Sequence, residues 1–410
     1  MTLDYRLIFA KLAIQARTLL CLHKLAEAVT NRATMENTAP NTNNFLNWVE
    51  IKNFKSIKDL RLDCKRVNVF IGKPNVGKSN ILEGLGLLGA EYGRNGFMGG
   101  IARYEEIGDF FRDNNLDINI EVKSDKEACV LKTTSFFKKE TFEFYAGNDE
   151  IVNEVLAIGN NNYDNYDQRL EDIISNRKAI SIIGLSKTGI YDKPIKMRDN
   201  HLIDMASVKK YDFSGMTKFD MSFQEFLMPP SGPNLYSVVR RNKELWSEFA
   251  QLFTEQKLEL VLFDQKQEFI LQKKIDHYVW QYPYFSIADT FRRFMFYIAA
   301  IESNKNSVII FEEPEVHSFP PYTQEMAYKM IYDEDNQYFI STHSPYMLHP
   351  FIENMSYDQL NVFVTYYEDY QTKVRALNKE EFRDILDYST NVFFNLDRFT
   401  PDAPTSTPVP

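Results

Sequence analysis

The sequence predicts an α/β fold with a mixed core sheet, an antiparallel side sheet and a mainly helical insertion. Three observations predict it. An apolar, β-prone run, Val67–Ile71, leads into Gly72-Lys73-Pro74-Asn75-Val76-Gly77-Lys78-Ser79, which opens a helical stretch, Ser79–Leu85. A second apolar run, Ser307–Phe311, ends in Glu312-Glu313-Pro314-Glu315. A third, Gln337–Ile340, ends in Ser341-Thr342-His343-Ser344-Pro345, about one β-α-β unit later. Buried strands that deliver polar groups at their C-terminal ends are how an α/β sheet places ligands.

The first motif has the G-x-x-x-x-G-K-S spacing of a phosphate-binding loop, in the strand–loop–helix setting such a loop requires. Glycines let backbone N–H groups converge on phosphate oxygens, and a helix N-terminus adds partial positive charge. The candidate nucleotide-binding residues are therefore Gly72, Lys73, Pro74, Asn75, Val76, Gly77, Lys78, Ser79 and Asn80. Lys78 is expected to reach the β- and γ-phosphates and Ser79 to bind Mg²⁺. The bland alternative is a glycine-rich turn with a surface lysine, against which the flanking strand and helix argue. Beside such a loop, Glu312 is the candidate for the Mg²⁺ shell and Glu313 for orienting or deprotonating the attacking water. His343 stands where an imidazole can sense the γ-phosphate by hydrogen bonding.

Composition sets the bounds. The chain has 410 residues, 44% hydrophobic and 25% charged, an ordinary globular balance with room for a large core. A formal net charge of −10 disfavours non-specific coating of nucleic acid, although a local basic face is compatible with it. Cys21, Cys64 and Cys129 are odd in number and widely spaced, so neither a disulfide framework nor a zinc site is expected and a reducing cytoplasm fits. There is no run of 18 apolar residues, hence no expected membrane span.

In chain order, residues 1–45 read as an N-terminal extension. It holds an amphipathic helix and then a polar tract from Met35; either Met35 is the start and the extension is dispensable, or the helix is one that meets a membrane surface or a partner. An N-terminal lobe over 46–149 begins with two alternating strands, Trp48–Phe54 and Leu60–Cys64, ahead of the loop strand. The helix after Lys78 is expected to run to about Gly89, its glycines explained by close packing on the sheet. Strands at Leu116–Val122, Ala128–Thr133 and Thr141–Tyr145 make the side sheet. The insertion, 150–280, should hold helices at Glu150–Ala157, Arg169–Arg177, Met221–Leu227 and Asn234–Phe253, a polar loop at 160–167, and a hairpin from Leu258–Phe263 and Glu268–Lys273. A C-terminal lobe, 281–398, starts with a helix over Tyr284–Ile301, capped by Ser286 with Asp289 in the first turn, whose free N–H groups offer a second phosphate contact. The lobe ends in a hairpin, Asn361–Thr365 with Lys373–Ala376, and a helix near Glu380–Leu386; the tail is 399–410.

Taken together, Val49–Ile57, Gly72–Ser79, Phe311–His317 and Ser341–Pro345 resemble the ABC-type ATPases of the SMC, RecF and OLD group, in particular stand-alone bacterial AAA_15/AAA_21-like ATPases. The resemblance covers about residues 47–90 and 280–350. It implies a P-loop NTPase of ABC-ATPase head architecture, ATP and Mg²⁺ as cofactors, Walker A at Gly72–Ser79, Walker B at Ile309–Glu313, His343 as switch histidine and Phe285–Asp289 as signature loop. It also implies a homodimer or higher oligomer with ATP sandwiched between heads, in which Ser286 and the Ala288 N–H reach the partner's nucleotide and Arg292 steadies the loop. Three departures stand out. Ile287 and Ala288 replace signature glycines, Glu312 replaces an aspartate, and no glutamine lies between Asn80 and Asn160, leaving Glu105, Glu106 or Asn114 as stand-ins. About 60 residues follow Pro350, too few for the TOPRIM nuclease domain of OLD proteins.

The expected function is a cytoplasmic ATPase that acts as sensor or motor in bacterial anti-phage defence. A separately encoded effector and DNA are candidate partners, and no membrane is. Two other readings stand beside it: a nucleotide-gated clamp with little turnover, and a RecF-like DNA repair ATPase.

Overall fold

The computed structural model describes residues 43–136, 139–159, 181–196, 206–387 and 392–400. The amphipathic N-terminal helix, the polar loop at 160–167, the helix expected at Arg169–Arg177 and the last ten residues of the tail lie outside that set.

The core sheet has six strands in the order β16-β15-β3-β14-β13-β9. They are β3 (Val67–Gly72), β9 (Val208–Tyr211), β13 (Val308–Glu312), β14 (Gln337–Ser341), β15 (Leu360–Glu368) and β16 (Gln371–Ala376). All run parallel except β16, which pairs antiparallel with β15. Every residue of β3 and β14 is buried, as expected of strands covered on both faces. Alternation along each strand divides its side chains between two cores. Val67, Val69, Ile71, Ile309, Phe311, Tyr338 and Ile340 face one. Phe70, Val308, Ile310 and Phe339 face the other.

Helix α1 (Lys78–Gly86) and the side sheet cover the second face. α1 is shorter than expected, giving way to a 3-10 turn over Leu87–Tyr92 that kinks at Gly89. A Cβ on Gly89 would lie 2.2 Å from the Val208 carbonyl oxygen, so the glycine there is a close-packing requirement, as expected. The side sheet has seven antiparallel strands, ordered β2-β1-β4-β5-β6-β7-β8. Its members are β1 (Trp48–Phe54), β2 (Ile57–Asp63), β4 (Ile120–Ser124), β5 (Ala128–Phe136), β6 (Lys139–Gly147), β7 (Ser181–Ser186) and β8 (Tyr191–Lys196). The alternating stretch from Leu116 enters the sheet only at Ile120, and Ile118 is exposed.

The first face is covered by α5 (Asp289–Ser303), α6 (Pro320–Tyr332) and α7 (Pro345–Asn354). The insertion supplies α2 (Asp149–Gly159), α3 (Leu235–Arg241) and α4 (Lys243–Gln251), the expected hairpin and, beyond expectation, strands of both larger sheets. Its small sheet is β10 (Glu259–Phe263), β11 (Glu268–Ile275) and β12 (Tyr278–Pro283), so the expected hairpin gains a third strand. The helix expected at Met221–Leu227 does not form; that stretch has no regular structure, and Ser237 and Asn234 hold its carbonyls at Met221, Phe223 and Phe226. The C-terminal hairpin and α8 (Lys379–Asp387) lie where the sequence places them. Among the described residues no helix is long and apolar enough to cross a membrane.

Candidate functional site

β3 delivers the phosphate loop to the C-terminal edge of the parallel sheet. Asn75 (φ 62) and Gly77 (φ 99) are both left-handed, a conformation that turns successive N–H groups into an anion-binding concavity. Gly77 is also the N-cap of α1, and no side chain caps that helix, so its first-turn N–H groups are free for an anion. A Cβ on Gly77 would sit 1.9 Å from Thr372 Oγ1. Thr372, on β16, braces the loop from behind: its hydroxyl donates to the Val76 carbonyl at 3.0 Å and contacts Ser56 Oγ at 2.6 Å. Asn80 joins this brace by donating to Ser56 Oγ at 2.7 Å.

Lys78 is 5% exposed, and its ammonium donates to the carbonyls of Gly72 (3.1 Å) and Lys73 (2.9 Å), across the mouth of the loop. Burial lowers its pKa, with Glu313 and Glu312 acting in the opposite direction. The Lys73 side chain leaves the loop and pairs with Asp397 at 2.6 Å.

The two consecutive acids diverge. Glu312 closes the ladder of β13 opposite Ser341 of β14. Ser79, the hydroxyl after the loop lysine, lies close enough to this carboxylate to favour its charged form. Burial opposes its ionisation, yet Lys210, Ser79 and Arg103 outweigh burial and hold the carboxyl below its ordinary value. Glu313 is left-handed (φ 44), a conformation that costs a non-glycine residue about 1 kcal/mol, and its N–H is tied to the Ser341 carbonyl at 3.0 Å. The turn sends its carboxylate to His343, with Oε1 3.3 Å from Nε2. Burial and then Lys78 lower the His343 pKa, against the pull of Glu313. Glu315 holds the histidine turn, its Oε1 accepting from Thr342 Oγ1 at 2.7 Å and from the His343 N–H at 2.8 Å.

The signature region differs from expectation. The N-cap of α5 is Ala288, with no side-chain cap, and Ser286 ends a preceding 3-10 turn. Asp289 does not close a capping box; it pairs with Arg292 (3.2 Å) and Arg293 (2.7 Å). Phe285, Ser286 and Ala288 face solvent while Tyr284 and Ile287 anchor the loop in the core. Neither Ser286 nor Ala288 is hydrogen-bonded to the phosphate loop, the acid pair or His343 among the described residues.

None of the three stand-ins for the missing glutamine reaches Glu312. Glu105 and Asn114 are exposed, and Glu106 caps a 3-10 turn and pairs with Lys187 at 3.0 Å. The residues that do reach it are Lys210, on β9, at 3.0 Å and Arg103 at 3.7 Å. Arg103 is also bound to Glu83 at 2.8 Å, and Glu83 is buried in α1 where it pairs with Lys55. Sequence reasoning missed β9 because Val208-Lys209-Lys210-Tyr211 carries two lysines and is only four residues long. Both lysines are buried, which composition argues against.

A family model described as an AAA ATPase domain, AAA_15, matches residues 45–278. The chain belongs to this ATPase family. The matched span takes in the whole antiparallel side sheet, the phosphate loop and β9. Several solved structures are similar. An SMC head bound to the C-terminal winged-helix domain of ScpA is 14% identical, with 83% of this chain and 100% of that one covered at a TM-score of 0.43. The SMC head domain from Thermotoga maritima is 10% identical, with 81% and 99% covered and a TM-score of 0.36. An SMC head with an extended coiled coil, bound to the C-terminal domain of ScpA derived from Pyrococcus furiosus, is 13% identical, with 84% and 99% covered and a TM-score of 0.44. No curated protein matches the sequence.

Proposed function

We propose that this AAA_15 protein binds Mg-ATP and hydrolyses it by water attack on the γ-phosphate. The observation that carries the reading is the pairing of Glu313 with His343, with Glu312 between Ser79 and Lys78, at the C-terminal ends of the parallel strands. Oxygen donors alone suit a hard cation, and Ser79 and Glu312 are the residues that would hold Mg²⁺. When bound, the ion neutralises triphosphate charge. Uncapped N–H groups of α1 and the Lys78 ammonium bind phosphate oxygens; Glu313 orients the water and accepts its proton; the His343 imidazole donates to the γ-phosphate. Calorimetry with ATP and a phosphate-release assay test this directly. Glu313→Gln should keep ATP uptake and lose turnover by at least about a hundredfold, the scale of a general base. Turnover unaffected by that change would overturn it.

The wider proposal is that two heads dimerise around ATP, with the exposed Ser286 and Ala288 of one reaching the nucleotide of the other. The assembly would act in the cytoplasm as sensor or motor of an anti-phage system with a separate effector, DNA being a further candidate ligand. It rests on the resemblance and on the solvent-facing loop before α5. Mass measurement of Glu313→Gln with and without ATP tests dimerisation. Phage challenge of cells carrying the gene with its neighbours tests the role. A clamp with little turnover is the second reading, favoured by Glu312 being already engaged by Lys210 and Arg103.

A further inference from the structure

Lys210 sits on β9, whose one strand partner among the described residues, β13, carries Glu312. Its side chain is 6% exposed. Two acceptors fix the ammonium: the Ile101 carbonyl at 2.7 Å and Glu312 Oε2 at 3.0 Å. The other carboxylate oxygen of Glu312 has Arg103 at 3.7 Å, and Arg103 is itself held by the buried Glu83. Glu312 therefore already has resident positive charge beside it, one part of it locked on a core strand. A buried ammonium cannot leave without stranding its charge, so it stays when other ligands arrive.

We propose that Lys210 is a positioning residue for Glu312 and a built-in countercharge at the nucleotide site, which makes nucleotide uptake only weakly dependent on a divalent cation. The inference rests on the nucleotide-binding reading given above. Its logic is linkage: a fixed cation and a mobile one that share a carboxylate compete, and both attract the same triphosphate. With the fixed cation present, metal-free binding is stronger and the gain from added metal is smaller. Removing it leaves Glu312 as an uncompensated anion beside the phosphates, weakening metal-free binding and enlarging the gain from Mg²⁺. Lys210 as mere packing would change stability and leave that gain alone.

The experiment uses the full chain and reads ATP affinity by calorimetry in excess magnesium and in excess EDTA, with no dependence on turnover. The ratio of the two affinities should be modest in the wild type. In Lys210→Gln, which keeps a donor toward Ile101 but loses the charge, the ratio should widen by about tenfold or more, within the usual range for coupled ligands. Lys210→Arg should restore the wild-type ratio. Glu312→Gln offers an independent arm if Lys210→Gln fails to fold: with the acid neutralised, the ammonium faces the phosphates alone, and metal-free affinity should rise above wild type. A ratio unchanged in a folded Lys210→Gln, or a Glu312→Gln protein with no gain in EDTA, overturns the proposal while leaving nucleotide binding intact. Absence of ATP uptake by the wild type in both buffers would instead sink the nucleotide reading itself.

Discussion

Gly77 shows how much of the site depends on single atoms. It is left-handed, it begins α1, and it has no room for a Cβ against Thr372. Gly77→Ala should therefore lower ATP affinity by about tenfold or more, since strain and clash both displace the N–H groups that would meet phosphate. Calorimetry checks this, with a melting curve to confirm folding. Thr372 lies far along the chain from the loop it braces, and no local motif announces it. His343 gives a second residue-scale test. Its lowered pKa means that the unfolded chain binds more protons than the folded one below the ordinary histidine value, so this group makes stability fall as pH drops through that range. Glu313 supplies the raising influence, so Glu313→Gln should move the His343 titration, followed by NMR, to lower pH.

Two junctions between elements carry their own energetics. The sequence reads one helix over Asn234–Phe253, and the structure has two. Asn242 leaves the helical conformation, and its Oδ1 accepts from the N–H groups of Glu244 and Leu245, both at 3.1 Å. Periodicity alone does not see such a cap, because asparagine is tolerated inside helices and favoured at their starts. Asn242→Ala should cost about 1 kcal/mol, measurable by denaturant unfolding. The second junction joins the side sheet to the approach of β9. Glu127, in the turn between β4 and β5, accepts from Ser207 Oγ at 2.8 Å. Burial pushes its carboxyl up to about 7, with the serine acting the other way. A raised folded-state pKa contributes stability that is complete below the unfolded value and lost as pH rises through about 7. Glu127→Gln should flatten the melting-temperature profile between pH 5 and pH 8, a window set by the ordinary glutamate value and the shifted one.

For the molecule as a whole, nucleotide binding and folding are linked. A ligand held only by the folded state stabilises it by about 2.7 kcal/mol at a hundred times its dissociation constant. ATP should therefore raise the melting temperature of the wild type and leave Lys78→Ala unmoved, because the loop would lose the cation that spans its mouth. Scanning calorimetry with and without nucleotide decides it. The same scale separates what was legible from what was not. Within the described residues the core strands β3, β13 and β14, the helix after Lys78 and the C-terminal hairpin lie within a few residues of expectation. Strands β7, β8 and β9 went unseen, since their pairing partners are remote or their residues polar.

By itself the sequence determined the chemistry on offer: a phosphate loop, an acid-ended strand and a histidine-ended strand, each a local pattern of fewer than ten residues. Such patterns are legible because backbone conformation and strand burial act over neighbouring residues. Only the tertiary structure decided which groups meet. It set Lys210 on Glu312 across 102 residues of chain, Thr372 behind Gly77, and Glu315 under the His343 turn. Those meetings follow from strand pairing, in which side-chain neighbours are chosen by sheet order and register.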